Sequence, residues 1–374
     1  IVPRHVLGGQ GTLSPNEIPT KAVIGVGGMG RGHLKSVNPG AKLVAVCDVD
    51  KGHLKTALEQ SGPDVKGYED FREVIARKDV DIVHIPTPPH WHALISIAAA
   101  EAGKDIWCEK PMTRTIWEGE KVVEAVQRNQ RIFRLNTWFR FEGGFYGMGT
   151  PVKPIKKLVN SGLLGWPLKV TLNESTGFNW KHNWSGRTDL TPQPIPEQLD
   201  YDGGGLGDMG QHYLDPTQYL LGKDNESPVE IEADTDPQDK DAVTAWRWIR
   251  YKYADGCEIL LDGENKLKEA AYIEGPKGKL FKGFKSDIPD LEKKLAEFPE
   301  PEPQVTDFIQ AVRERKTFAL NDQNGHRSCT LVNLGKIALR TRRVLRFDNA
   351  SQRFVGDEGA NSYIRQPMRA PWVI

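Results

Sequence analysis

No run of this sequence is apolar for long enough to cross a membrane as a helix. An excess of one charge is also missing. Lys+Arg and Asp+Glu stand at 50 each, so no global basic field invites nucleic acid or an anionic lipid surface. Cysteine is scarce. Cys47, Cys108, Cys257 and Cys329 are scattered, none in C-x-x-C spacing, so no zinc site is suggested and no metal is expected. Cys47 and Cys108 would end the second and fifth strands of a doubly wound sheet. Those strands are not neighbours, so free buried thiols are expected rather than a disulfide. Internal repeats and low-complexity tracts are absent as well. What remains is a mixed-charge chain of 374 residues, 38% hydrophobic, long enough for two domains. Its ten tryptophans are many for that length. They suit stacking on sugar faces and equally suit core and interface packing.

The chain is organised around Lys21 to Asp48, KAVIGVGGMGRGHLKSVNPGAKLVAVCD. Ala22 to Val26 has strand character, and Gly25, Gly27 and Gly30 follow in G-x-G-x-x-G spacing. The first glycine permits a tight turn, the second lets backbone approach a pyrophosphate, and the third lets the next helix pack close. Gly28 and Met29 complete the turn, and the helix would aim its first N–H groups at phosphate. Leu43 to Cys47 is a second apolar run, and Asp48 stands at its end, 18 residues past Gly30. A carboxylate there can bond the hydroxyls of an adenosine ribose, so NAD is the expected cofactor.

Residues 1–20 are rich in Gly, Pro and polar residues and read as an arm. Residues 21–140 alternate strand and helix, the signature of a parallel sheet. A helix is expected from about Lys51 to Gln60, a turn and short helix over Tyr68 to Ala76, and a strand over Asp81 to Ile85 ending in TPPHWH. An alanine-rich helix, Ala93 to Ala102, stops at Gly103 as its C′ residue. A strand over Asp105 to Cys108 leads to Glu109, Lys110 and Pro111. Thr115 and Glu118 form a capping box for a helix to about Gln127, and Ile132 to Asn136 is a sixth strand.

From 141 to 360 the pattern becomes α+β. Helices are expected over Pro154 to Ser161, from Gly203 to Leu221, around Val305–Phe308–Ile309–Val312 and over Leu331 to Arg340. Strands are expected over Leu168 to Leu172, Val229 to Ala233, Ala242 to Tyr253, Cys257 to Leu261 and Ala270 to Ile273, with Asp255-Gly256 as a hairpin turn. Residues 361–374 form an irregular tail. The fold class is therefore α/β: an N-terminal Rossmann doubly wound parallel sheet, then an α+β domain with a large, mostly antiparallel open sheet.

VIGVGGMG with Asp48, TPPHWH before an alanine-rich helix, GKDIWCEKPMT and GGGLGDMGQHYLD together resemble the Gfo/Idh/MocA family of nicotinamide-dependent oxidoreductases. The likeness covers about 22 to 135, resumes at 200 to 222, and returns from about 305 to the end. It implies oxidation of a secondary hydroxyl of a small-molecule sugar, glycoside or polyol, with hydride passing to NAD. By that likeness Lys110, at a strand's carboxyl end, holds a substrate hydroxyl. His212 is the acid/base and Asp208, one turn before it, its partner. Thr87, Pro88 and His92 match the adenosine-side loop, with Pro89 where many members have Asn, and Glu109 lies beside the cofactor. Arg140, Trp180, Lys181, Arg187 and Asp215 are the candidate substrate residues. The loop around Trp180 suits a polyol or equally a subunit interface, and Asp215 could line the site or cap the turn at Pro216. The likeness further implies a homo-oligomer, dimer or tetramer, formed through the C-terminal sheet. It leaves two rivals, a redox-neutral NAD-dependent glycosidase and a non-catalytic dinucleotide sensor. The opening IVPRHVLGG resembles the stretch after twin-arginine signals in exported members, which implies a periplasmic or otherwise exported protein that retains its NAD, with a cytoplasmic one as the alternative.

Overall fold

The computed structural model describes residues 18–137, 140, 149–173, 204–238, 243 and 245–374. In the N-terminal half, β1 (Thr20–Ile24), β2 (Lys42–Cys47), β3 (Lys66–Tyr68), β4 (Ile82–Ile85), β5 (Asp105–Glu109) and β6 (Phe133–Asn136) form one sheet. Its order is β3-β2-β1-β4-β5-β6 and every pair is parallel, as alternation of strand and helix requires. The connecting helices are α1 (Gly28–His33), α2 (Lys51–Ser61), α3 (Phe71–Ile75), α4 (His92–Glu101) and α5 (Ile116–Arg128). The chain continues from β1 toward one edge of the sheet and from β4 toward the other, which opens the crevice at their carboxyl ends where ligands bind in such sheets.

Local chemistry sets the helix ends. Asp50 and Asp70 cap α2 and α3 with their carboxylates. Gly103, at φ +77°, takes the left-handed C′ position after α4. At α5 the Thr115 hydroxyl accepts from the Glu118 N–H at 3.2 Å, which is half of the expected box. The other half is displaced by one residue. The Glu118 carboxylate accepts from the Arg114 N–H at 2.9 Å and from its guanidinium, because that buried arginine competes for it.

In the C-terminal half, α6 (Val152–Ser161), β7 (Lys169–Leu172), α7 (Gly204–Leu221), β8 (Glu230–Asp234), β9 (Trp248–Lys252) and β10 (Glu258–Asp262) come first. Then follow β11 (Ile273–Gly275), β12 (Gly278–Phe281), β13 (Lys285–Ser286), α8 (Leu291–Ala296), α9 (Phe308–Glu314), α10 (Asp322–Thr341), β14 (Leu345–Asp348), β15 (Arg353–Phe354) and α11 (Glu358–Asn361). The nine strands run β13-β12-β11-β7-β10-β9-β8-β14-β15, and only β7 with β10 is parallel. One face, carrying Val170, Leu172, Ile231, Ile249, Tyr251, Ile259 and Leu261, is buried with residues of α7 and α10. The other face carries Trp248, Arg250 and Glu258, which are part-exposed, in keeping with period-two alternation. Gly256, at φ +87°, makes the β9–β10 turn that Asp255-Gly256 announced.

Three expectations change. Among the described residues the strand expected over Ala242 to Tyr253 pairs from Trp248 to Lys252, and the one expected over Ala270 to Ile273 begins at Ile273. The helix expected from Leu331 starts at Asp322, capped by the Asn321 side chain. Its first turns hold Asn324, His326, Ser328 and Thr330, all buried, so a search for apolar periodicity passes over them.

The core of the first sheet is shared. Phe308, Ala311, Val312, Phe318, Leu320 and Cys329, from the far end of the chain, bury themselves with Ile82, Ile106, Trp107 and Leu135. The Leu135 N–H donates to the Leu320 carbonyl at 3.0 Å. All four cysteines are buried and free, as expected. The tail is irregular but anchored, its Trp372 ring lying 5.0 Å from that of Trp91 and 5.8 Å from that of Phe71. Among the described residues no helix is long and apolar enough to cross a membrane.

Candidate active site

The glycine turn between β1 and α1 is tight where protein must fit and open where a ligand could. Gly25 has φ +96°, and a β-carbon there would lie 2.9–3.0 Å from Thr87. A β-carbon on Gly30 would stand 1.8 Å from the Gly25 carbonyl oxygen, so helix and turn touch backbone to backbone. A β-carbon on Gly28 would meet nothing within 4 Å, and one on Gly27 nothing nearer than 3.5 Å. Met29 beside them is 63% exposed. The turn is thus closed on its protein side and clear on its outer side, as a pyrophosphate cradle must be.

Asp48 ends β2 beside this turn. Its carboxylate accepts from the Val26 N–H at 2.8 Å and the Asp50 N–H at 2.9 Å, and His53 Nδ1 lies 3.6 Å away. These bonds fix the carboxylate at the lip of the cradle. Thr87, at the end of β4, covers Gly25, and its buried Oγ1 has no partner among the described residues. Pro88 precedes the 3-10 turn Pro89–Trp91.

Two expected cofactor residues have protein partners of their own. His92 turns both ring nitrogens onto backbone: Nδ1 lies 2.7 Å from the Pro111 carbonyl and Nε2 2.8 Å from that of Thr87. It lies between two loops, close to both carbonyls. Glu109 is buried beside β6, where its Oε1 faces His33 Nε2 at 2.9 Å and accepts from Asn136 Nδ2 at 2.6 Å. Burial alone would raise its pKa, but the bonds from His33 and Asn136 and the charge of Lys110 overcome this. Its carboxyl is held below the usual range.

Lys110 follows at the carboxyl end of β5, and the Lys110–Pro111 peptide is cis. Its Nζ donates to the Asp208 carboxylate at 2.7 Å and to the Asp208 carbonyl at 2.9 Å. The expectation gave Asp208 to His212 alone, and the structure adds the lysine. His212, 8% exposed, stands one turn further along α7, on the same face. The parallel sheet therefore delivers a cation, and the helix a carboxylate and an imidazole, to the crevice edge.

Asp215 neither lines that edge nor caps a turn. It lies inside α7 and pairs with Arg140, at 2.6 Å to Nη2 and 3.0 Å to Nε, and Thr137 Oγ1 donates to it at 3.1 Å. Asp224 takes the remaining guanidinium face at 2.7 Å. Both Arg140 and Asp215 are fully buried, so the two spend their charges on each other rather than on a substrate. Trp180, Lys181 and Arg187, with residues 1–17, lie outside the described residues.

Two family models match this chain. One, described as "Oxidoreductase family, NAD-binding Rossmann fold", spans residues 20–137. The other, "Oxidoreductase family, C-terminal alpha/beta domain", spans 148–202 and 199–374. The chain belongs to the Gfo/Idh/MocA oxidoreductase family. Inositol 2-dehydrogenase of Salmonella typhimurium is 31% identical over 209 residues, 54% of each chain. The scyllo-inositol 2-dehydrogenase (NAD(+)) of Bacillus subtilis is 31% identical over 204 residues, 54% of this chain and 53% of its own. The match thus spans about half the length of these relatives. Among solved structures, the WlbA dehydrogenase of Bordetella pertussis, in complex with NADH and UDP-GlcNAcA, superposes with a TM-score of 0.66 at 18% identity, covering 88% of this chain and 99% of that one. Levoglucosan dehydrogenase, in complex with NADH and levoglucosan, superposes with a TM-score of 0.59 at 20% identity over 88% and 99%. In this member of the family, sequence alone passed over Gln211, His33 and Asn136. Gln211 stands inside a quoted motif without a role, and each of the three earns its place by a tertiary hydrogen bond.

Proposed function

We propose that this chain is an NAD-dependent dehydrogenase acting on a secondary hydroxyl of a sugar or polyol. The observation that carries the reading is the meeting of Lys110 and Asp208 at 2.7 Å on the carboxyl edge of an NAD-binding sheet, one turn before His212. Gly25, Gly27, Gly28, Met29, Gly30, Asp48 and Thr87 would hold the dinucleotide, and the open cradle and the buried Thr87 hydroxyl fit it. Bound NAD supplies a hydride acceptor. Lys110 donates a charge-assisted hydrogen bond to the substrate oxygen and holds it at the crevice. His212 takes the hydroxyl proton as the carbon is oxidised. Asp208 keeps Lys110 aimed. The inositol and levoglucosan dehydrogenases among the proteins it resembles support a polyol or sugar as substrate.

The test is a panel of inositols, anhydrosugars and glycosides incubated with NAD and the full chain. Stoichiometric NADH with at least one of them is expected. Free sugar from a glycoside without net NADH would assign redox-neutral hydrolysis instead. Binding of NAD with neither product would leave a dinucleotide sensor.

NAD should also be preferred to NADP. Asp48 occupies the place of a 2′-phosphate, and two like charges about 4 Å apart repel by about 4 kcal/mol at an effective dielectric near 20. Solvent reduces this, and a Kd for NADP at least about tenfold weaker, a difference of about 1.4 kcal/mol, is expected by titration calorimetry. Equal affinities would remove the assignment of Asp48 to the ribose.

A further inference from the structure

Resting on the reading above, we propose that Gln211 is a positioning residue for Lys110. It acts by pinning the single peptide group that follows Lys110–Pro111. That peptide, Pro111 C=O with Met112 N–H, is held at both ends. His92 Nδ1 lies 2.7 Å from its oxygen, and the Gln211 side-chain oxygen accepts its N–H at 2.8 Å. Gln211 is fully buried and sits in α7 between Asp208 and His212. Its amide nitrogen donates to the Gly325 carbonyl at 2.8 Å and to Ser328 Oγ at 2.9 Å, at the start of α10. The partners fix the amide's orientation, because a backbone N–H only donates and a carbonyl only accepts.

The geometry makes one line of close polar contacts through the site, with the single N–H of a neutral His92 able to donate to only one of its two carbonyls. It begins at the Thr87 carbonyl over the glycine turn and crosses His92 to the Pro111–Met112 peptide. It then crosses Gln211 to α10. The cofactor loop, the lysine turn and the helix bearing Asp208 and His212 are thereby set at fixed distances from one another.

The line matters because the other tie between the lysine turn and α7 belongs to the reaction. Lys110 Nζ spends two of its three ammonium hydrogens on Asp208 at the crevice edge, and a substrate hydroxyl accepts the third or displaces one of those two. If it displaces one, the tie at the edge weakens. The Gln211 bond below it, buried and out of reach of substrate, does not. It holds the backbone of Lys110 in register while the side chain changes partners. Misplacement of a reacting group by about 1 Å costs about a hundredfold in rate, so a buried amide one layer below the chemistry can carry that much.

Two variants separate this from plain structural support. Gln211→Met keeps volume and removes both ends of the amide. Gln211→Glu keeps the acceptor for Met112 and alters the end toward α10. Hydrogen–deuterium exchange of the peptide containing Met112 reads the pin without any turnover. Calorimetry reads NAD affinity, and kcat and KM are taken on whichever panel compound gives NADH. For Gln211→Met the expected result is faster exchange at Met112, a kcat lower by about 10- to 100-fold and an NAD Kd within about twofold of the parent. Gln211→Glu should restore protection at Met112 and most of kcat. Faster exchange with unchanged kcat would overturn the proposal, as would unchanged exchange. Equal losses in both variants would overturn it too, pointing to the α10 end alone. If Gln211→Met does not fold, His92→Gln is read in the same two ways. It should lower kcat while the Gln211 bond keeps Met112 protected, and a parent-like kcat would overturn the proposal. If no panel compound is turned over, the dehydrogenase reading fails, while exchange at Met112 still decides whether the pin exists.

Discussion

Replacing His212 by alanine is expected to lower kcat by at least about a hundredfold, because a positioned general base is worth about 10²- to 10⁴-fold. Lys110→Ala should do the same, since the proton acceptor and the hydroxyl's anchor serve one step. Neither residue touches the glycine cradle, so the Kd for NAD should stay within about twofold of the parent, whereas a cradle variant would weaken it. The two losses should not add in the double variant, because groups acting as a unit fail together. Asp208→Asn should be milder and should move the pH dependence of kcat, since it removes the charge that faces Lys110 at 2.7 Å. Melting curves serve as the control, because Asp208 is itself buried and loses its lysine in Lys110→Ala. A His212→Ala variant with parental kcat would move the acid/base role to another group.

Acid should unfold this protein more steeply than its balanced composition suggests. Burial holds His84 far below the ordinary histidine range, and it depresses His90 and His326 to about 3. His84 stacks on Trp107 with ring centroids 5.3 Å apart. His326 lies so close to α5 that a β-carbon on Gly119 would stand 2.2 Å from its ring. Once unfolded, all three take up protons below their ordinary value near 6.5. The unfolded state then binds more protons than the folded one, so stability falls as pH falls. The loss begins near 6.5 and continues down to the folded values. Each group contributes about 1.4 kcal/mol per pH unit, and the three together about 4 kcal/mol. Between about pH 6.5 and about pH 5 the loss becomes a large part of an ordinary domain's stability. Denaturant titrations at about pH 7, 6 and 5 measure it, and His326→Gln should remove about a third of the slope. A flat profile down to about pH 5 would show that these rings titrate freely in the native protein.

What the sequence reveals and what it hides divides by range. The glycine turn, Asp48 and the strand ending in Glu109–Lys110–Pro111 are legible because each is a short local pattern whose spacing the backbone enforces. Asp208 and His212 are legible as one helix face. The partner of Asp208 is not, since Lys110 lies 98 residues away in the chain. Glu109 and His92 are found as residues of the site, but their partners within the protein are not. A carboxylate and an imidazole next to a cofactor loop look like ligands, and only the fold shows that His33, Asn136 and two carbonyls already engage them. Arg140 and Asp215 err in the same way. Charge in a sequence suggests a polar substrate, and burial turns it inward. The first half of α10 is hidden for the opposite reason, because its polar residues are buried, where apolar ones are the usual rule.

The shared core of the first sheet bears on how the protein is made. A ribosome that has released residues 20 to 137 has delivered every strand of that sheet but not Phe308, Phe318 or Leu320, which roof it. Until about 170 more residues emerge, at about 5–20 residues per second, the nascent chain carries an uncovered apolar face for about ten seconds or more. That interval is a window for chaperone capture. It also means that a gene cut after residue 137 would yield a sticky fragment rather than a working cofactor module.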